Sequence, residues 1–156
     1  EFGGTRDKYI GDCVMANFGT PTPADGDAER ALRCAVALVE RTAIWNETRV
    51  AGAQEPVEIG FGVHFGEVIV GNVGDARRLE YTVLGDAVNV GARLERLTRE
   101  LGAPVVVSGD LVEAVRPRAG TGPLLAAFEK SDVHTLRGRA AEIDVWRWSP
   151  VAERAA

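Results

Sequence analysis

The chain has 156 residues, 46% of them hydrophobic and 26% charged, which suits one soluble domain or part of one and supplies enough apolar material for a core. Its net charge of −5 argues against a nucleic-acid binder that relies on many phosphate contacts. No apolar run approaches the ~18 residues of a membrane span, no secretion-signal pattern stands at the front, and two cysteines, Cys13 and Cys34, are too few for a disulfide framework and fit a reducing setting, either the cytoplasm or the cytoplasmic portion of a larger, membrane-anchored protein.

Residues 1–5 read as a turn-like lead-in. Residues 8–12 and 13–18 read as two short extended segments, with Gly11-Asp12 as a two-residue hairpin signal. A Pro/Gly/Asp loop covers 19–26. Asp27 is a plausible N-cap for a helix running to about Asn46, with Ala31, Cys34, Ala35, Leu38, Val39 and Thr42 at helical spacing. Residues 57–65 alternate as a strand through Val57, Ile59, Phe61 and Val63. Gly66-Glu67 turns it, and 68–73 forms the return strand of a second hairpin. Another extended run covers 79–84. Asp86 then caps a strong helix whose apolar face holds Val90, Leu94, Leu97 and Leu101, and Gly102 stops it. Residues 104–107 form a short apolar strand, and Ser108 caps a small helix through Val115. A loop covers 116–122, and 125–137 with 141–148 read as a final strand pair around Gly138. Hairpins and helices alternate without a strand-helix period, which is an α+β pattern.

Four constellations carry chemistry, each with a plainer reading beside it. Gly11 leaves the backbone open at a hairpin tip, so Asp12 can reach a divalent cation; Gly-Asp is equally ordinary turn chemistry. Asn89 and Arg93 lie four apart, so an amide and a guanidinium share a helix face that suits a ribose and a charged phosphorus centre; the plainer reading is a solvated face. The glycine-rich stretch 60–74 can cradle a phosphate; the plainer and favoured reading is structural hairpin geometry with bulges or close backbone approach, since neither a Gly-x-Gly-x-x-Gly followed by a helix nor a Gly-Lys-Ser/Thr occurs. His64 within it reads as a packed or hydrogen-bonded histidine. Arg137 and Arg139 flank Gly138 and can hold a polyphosphate, or stay solvated.

Taken in order, these segments resemble the catalytic domain of the class III adenylyl/guanylyl cyclases. The residues that carry the resemblance are Gly-Gly-Thr-Arg-Asp-Lys-Tyr-Ile-Gly-Asp at 3–12, Gly-Val-His-Phe-Gly-Glu-Val at 62–68, Gly-Asn-Val-Gly at 71–74 and Glu-Tyr-Thr-Val-Leu-Gly-Asp-Ala-Val-Asn-Val-Gly-Ala-Arg-Leu-Glu at 80–95. The similarity runs from about Phe2 to Trp146. It implies a ferredoxin-like nucleotidyl cyclase palm over 1–150, an antiparallel-rich sheet with helices packed on one face, and a frayed tail over 151–156.

The resemblance also implies roles. Lys8 and Thr82 match the pair that reads the purine, in the adenine-selecting combination. Asn89 matches the ribose-orienting asparagine, and Arg93 the arginine on the transition-state phosphate. Arg137 or Arg139 stands where a lysine holds the triphosphate. Asp12 matches the second of two aspartates that bind two Mg²⁺ or Mn²⁺ ions. The implied reaction turns ATP into 3′,5′-cyclic AMP and pyrophosphate for signalling. The implied assembly is a homodimer, or a pair with a partner cyclase domain, with sites at the interface and no nucleic acid or membrane contact. The family's first strand, with its Phe-x-Asp-(Ile/Val)-x-Gly-Phe-(Thr/Ser) motif and first metal aspartate, has no match here. That implies an N-terminally incomplete domain with little activity by itself. The competing reading is a non-catalytic regulatory, dimerisation or nucleotide-binding module on the same fold.

Overall fold

The computed structural model describes residues 1–75, 78–131, 134–135 and 142–149. Its first element is the expected hairpin, β1 (Thr5–Ile10) paired antiparallel with β2 (Cys13–Asn17). Gly11 has φ 65° at the first position of the two-residue turn, a conformation that side chains with a Cβ rarely adopt. Arg6 pairs with Ala16 but Lys8 with Met15, so Asp7 is the extra residue of a β-bulge.

Helix α1 (Asp27–Ala51) is longer than expected and starts differently. Gly26 occupies the N-cap position, and Asp27 lies in the first turn without capping it by its side chain. The buried face is Ala28, Leu32 and Ala35, with Val36 and Val39 against the core. Leu38, expected on that face, is exposed.

Strand β3 (Phe61–Val63) keeps only the centre of the expected 57–65 strand. It pairs parallel with β6 (Val105–Ser108), not with a return strand. The expected second hairpin is therefore replaced by another one: β4 (Ile69–Asp75) pairs antiparallel with β5 (Arg78–Leu84), from Ile69 opposite Leu84 to Asp75 opposite Arg78. The physical reason lies in β6. Val105, Val106, Val107 and Ser108 are all buried, as in a strand covered on both faces. Pairing with it buries Phe61 and Val63 in part, whereas a hairpin with residues 68–73 would leave that strand at the surface.

Gly85 takes φ 153° and links β5 to α2 (Asp86–Leu101). Gly85, not Asp86, is the N-cap residue, and Asp86 lies in the first turn. The apolar face is the expected one, with Val90, Leu94 and Leu97 buried and Leu101 packed beside them. Gly102 ends the helix in the left-handed conformation, φ 59°. Ser108 accepts a hydrogen bond from the Leu111 N–H and caps α3 (Gly109–Val115) as expected. Helix α4 (Gly122–Ala126), with Pro123 in its first turn, occupies residues expected as loop and strand. The terminal strands follow as β7 (Phe128–Lys130), β8 (His134–Thr135), β9 (Glu142–Ile143) and β10 (Val145–Trp148). β10 pairs antiparallel with both β6 and β7, and β8 with β9.

The central sheet runs β3-β6-β10-β7. Val105 and Val107 join Leu32, Leu111, Val112, Val115 and Phe128 in one core cluster. Val106 joins Val90, Leu94, Leu97 and Val145 in another. Alternate residues of β6 thus face different helices, so α1 and α3 pack on one face and α2 on the other. The α+β, antiparallel-rich class stands; the helices occupy both faces rather than one. No helix among the described residues is long and apolar enough to cross a membrane.

Candidate functional site

Lys8 and Thr82, far apart in sequence, meet at one carboxylate. The Thr82 hydroxyl donates to Asp7 Oδ2 at 2.8 Å, and Lys8 Nζ lies 3.8 Å from the same oxygen. Lys8 Nζ also lies 3.4 Å from Glu80 Oε2. Thr82 is buried, the Asp7 side chain is 5% exposed and that of Lys8 34%. The bulge explains how consecutive residues achieve this. Strict alternation sends Asp7 and Lys8 to opposite faces; the extra residue turns both toward β5, where Glu80 and Thr82 share a face.

Asn89 and Arg93 stand one turn apart on α2, reached from Thr82 through the Gly85 turn. Asn89 is exposed and Arg93 half-buried. The Nη1 of Arg93 is sealed from solvent and has no hydrogen-bond partner among the described residues. A buried donor without an acceptor carries a desolvation cost. An anionic group within reach of the guanidinium would supply that acceptor.

Asp12 is exposed in the β1–β2 turn, and its carboxylate lies 3.8 Å from the Cys13 thiol. Among the described residues no three His, Cys, Asp or Glu side chains gather at metal-binding spacing. Asp12 nevertheless suits Mg²⁺ or Mn²⁺, which take one or two protein carboxylates when substrate phosphates and water fill the other positions. Arg137 and Arg139 lie outside the described residues.

His64 behaves as a hydrogen-bonded core histidine. Its Nδ1 lies 2.8 Å from the buried Ser108 Oγ, and its side chain is nearly buried. Beside it a cleft of about 520 Å³ is bordered by Glu67, Asp86, Asp110 and Glu113 and contains none of Lys8, Asp12, Thr82, Asn89 and Arg93. The carboxylate border disfavours phosphate, so the cleft is not taken as the nucleotide site. Residue spacing missed Asp7, because nothing in local composition announces a bulge. It also missed Ser108 as the partner of His64, which comes from another strand.

Comparison with known proteins bears on this geometry. The sequence profile described as "Adenylate and Guanylate cyclase catalytic domain" matches residues 2–144. Adenylate cyclase 1 of Rhizobium meliloti is 35% identical over 143 residues, covering 92% of this chain and 20% of that protein. The adenylate cyclase of Anabaena cylindrica is 36% identical over 116 residues, 72% of this chain and 22% of that protein. Among solved structures, the adenylyl cyclase CyaB from P. aeruginosa superposes with a TM-score of 0.77 at 27% identity, covering 94% of this chain and 72% of that one. A guanylyl cyclase crystal structure gives a TM-score of 0.76 at 29% identity over 96% of this chain and 72% of that one. The chain thus spans about a fifth of the length of these curated relatives.

Proposed function

The chain belongs to the adenylate and guanylate cyclase catalytic domain family, and we propose that in the whole protein it converts ATP to 3′,5′-cyclic AMP and pyrophosphate as an intracellular signal. The observation that carries this reading is the Nη1 of Arg93, one turn from Asn89, which is buried and has no hydrogen-bond partner among the described residues. A charged phosphorus centre would supply the acceptor this guanidinium lacks once the side chain turns toward it. The nature of Lys8 and Thr82, gathered on Asp7, favours adenine over guanine. An ammonium can donate to adenine N1 but meets a donor at guanine N1, and a site built on such bonds discriminates strongly.

In the proposed reaction the ribose 3′ oxygen attacks the α-phosphorus in line. The bond from that phosphorus to the bridging oxygen of the departing diphosphate breaks. The 3′-hydroxyl proton passes to solvent, so the products are cyclic AMP, pyrophosphate and a proton. Asn89 orients the ribose and limits its rotation. Arg93 donates to the phosphoryl oxygens as their charge redistributes, an interaction realised most fully in the transition state. Arg137 or Arg139 holds the outer phosphates. A bound Mg²⁺ or Mn²⁺ pair, with Asp12 as one carboxylate ligand, supplies charge neutralisation on the triphosphate.

We place the site at the interface of a homodimer, or of a pair with another cyclase domain. Lys8, Thr82, Asn89 and Arg93 come from one chain and Asp12 from the other. Large apolar side chains stand exposed on both hairpins: Tyr9, Ile10 and Val14 on β1–β2, and Ile69, Val73, Leu79 and Tyr81 on β4–β5. Apolar residues grouped in this way mark contact surfaces.

The test is an assay of the full-length protein, and of its Arg93→Ala variant, for cyclic AMP from ATP with Mg²⁺ or Mn²⁺. Arg93→Ala is expected to lower kcat by about 10²-fold or more, the usual consequence of losing one transition-state donor, while ATP binding changes little. Binding of ATP without any cyclic product would favour the non-catalytic module. Cyclisation of GTP alone would overturn the adenine assignment.

A further inference from the structure

Asp7 is not among the residues whose types suggested a nucleotide site, yet three features converge on it. It is the bulged residue of β1. Its side chain is 95% buried, and a buried carboxylate is costly unless it is paired. Its Oδ2 takes the Thr82 proton at 2.8 Å.

From these we infer that Asp7 is a positioning residue for base selection, which fixes the Thr82 hydroxyl as an acceptor toward the purine. The inference rests on the reading that Lys8 and Thr82 face an adenine. A threonine hydroxyl has one proton and two lone pairs. Left free, it rotates to accept from the 6-amino group of adenine or to donate to the 6-oxo group of guanine. With its proton committed to Asp7, it presents only lone pairs. The adenine amine satisfies them; guanine O6 meets acceptor with acceptor. Lys8, 3.8 Å from the same carboxylate oxygen, is held beside Thr82 by the same group. Asp7 thereby removes an ambiguity that Thr82 carries as a residue type.

The experiment measures base preference by binding, independently of turnover. The full-length protein is titrated with the α,β-methylene analogues of ATP, of GTP and of the 6-unsubstituted purine nucleotide, in competition with a fluorescent nucleotide. Wild type is expected to prefer the ATP analogue to both others. Asp7→Ala is expected to lower the ATP-to-GTP affinity ratio about tenfold, the scale of one hydrogen bond. It should also bring the ATP and 6-unsubstituted analogues close together. Asp7→Ser, too short to hold the Thr82 proton, is expected to do the same and serves if the alanine variant does not fold. In the Thr82→Val background, Asp7→Ala is expected to change the ratio less than twofold, because the hydroxyl it orients is gone.

A ratio unchanged in Asp7→Ala and Asp7→Ser overturns the inference while leaving the adenine reading intact. A ratio that falls equally in both Thr82 backgrounds also overturns it, because Asp7 then acts through Lys8 or through packing. If wild type binds none of the three analogues, the proposed function itself fails, and the inference with it.

Discussion

A methyl group at Gly62 tests whether the packing of α2 on β3 controls the placement of Asn89 and Arg93 on that helix. A Cβ built on Gly62 meets Glu95 N at 2.2 Å, Gly91 O at 2.3 Å and Leu94 C at 2.8 Å. All three are backbone atoms, so no rotamer change relieves the contact. The shortest is about 0.8 Å inside the 3.0 Å below which real Cβ contacts essentially never fall. The helix must retreat by roughly that amount, and the colliding atoms lie on the turns that carry Asn89 and Arg93. Overpacking costs about 1–3 kcal/mol, and two opposed backbones place Gly62→Ala near the upper end. At about 2–4 °C per kcal/mol for a domain of this size, melting should fall by about 6–12 °C. A displacement near 1 Å at a reacting group can cost about 10²-fold in rate, so kcat should fall more than stability alone explains at a temperature where the variant is folded. Gly91→Ala is the matched control. Its Cβ meets nothing within 4 Å, and alanine in a helix interior is favoured over glycine by about 0.5–1 kcal/mol, so melting should hold or rise slightly. The assays are thermal unfolding by circular dichroism and initial rates of cyclic AMP formation by the full-length protein. A Gly62→Ala protein that melts within about 1 °C of wild type refutes the close approach of β3 and α2. One that melts lower but keeps its kcat refutes the link from that packing to Asn89 and Arg93.

Asn89→Ala is expected to lower kcat with little change in ATP affinity; equal losses in binding and rate would count against its orienting role. Ser108→Ala removes the cap of α3 and the Ser108 partner of His64 Nδ1 together, so urea unfolding should show a loss of about 2 kcal/mol, and a loss under about 0.5 kcal/mol would sink the double role. The Glu29 carboxyl is held below its ordinary range, first by the Arg33 hydrogen bond and then by that of Arg118. Because its folded pKa is depressed, the stability it contributes is present above the ordinary carboxylate range and is lost as pH falls through the folded value. Glu29→Gln should therefore melt below wild type at neutral pH, with the gap closing in acid; a gap independent of pH refutes the ion-pair explanation.

What the sequence made legible was local. The Gly11-Asp12 turn set the first hairpin, because a two-residue turn leaves its flanking strands no other partner. The Val90, Leu94, Leu97 spacing set the face of α2, because the three recur at helical spacing while Glu95, Arg96, Arg99 and Glu100 occupy positions around them. The partner of β3 was not legible. Residues 57–65 and 68–73 read as a hairpin from either side of Gly66-Glu67, yet the parallel pairing of Phe61–Val63 with Val105–Val107 depends on a strand much further along the chain. Two glycines in that region take their meaning from the helix above them. A Cβ at Gly60 meets the Thr98 side chain and one at Gly62 meets the α2 backbone, so both mark close approach of a helix rather than a cradle for phosphate.

The site was legible as residue types and illegible as directions. Spacing put Asn89 and Arg93 on one face, because a helix repeats every 3.6 residues. It could not say that Arg93 Nη1 ends in a dry position without an acceptor among the described residues, since that depends on how α2 packs. For Thr82 the limit is stricter. The residue type is compatible with either purine, because one hydroxyl serves as donor or acceptor. Its direction is fixed by Asp7, and Asp7 reaches it only because one extra residue in β1 cancels the alternation that would point it away. A change that restored regular pairing in β1 would keep Lys8 and Thr82 in the sequence, yet it would free the Thr82 proton. On the proposed reading, base preference in this chain would depend on the register of β1 as well as on Lys8 and Thr82.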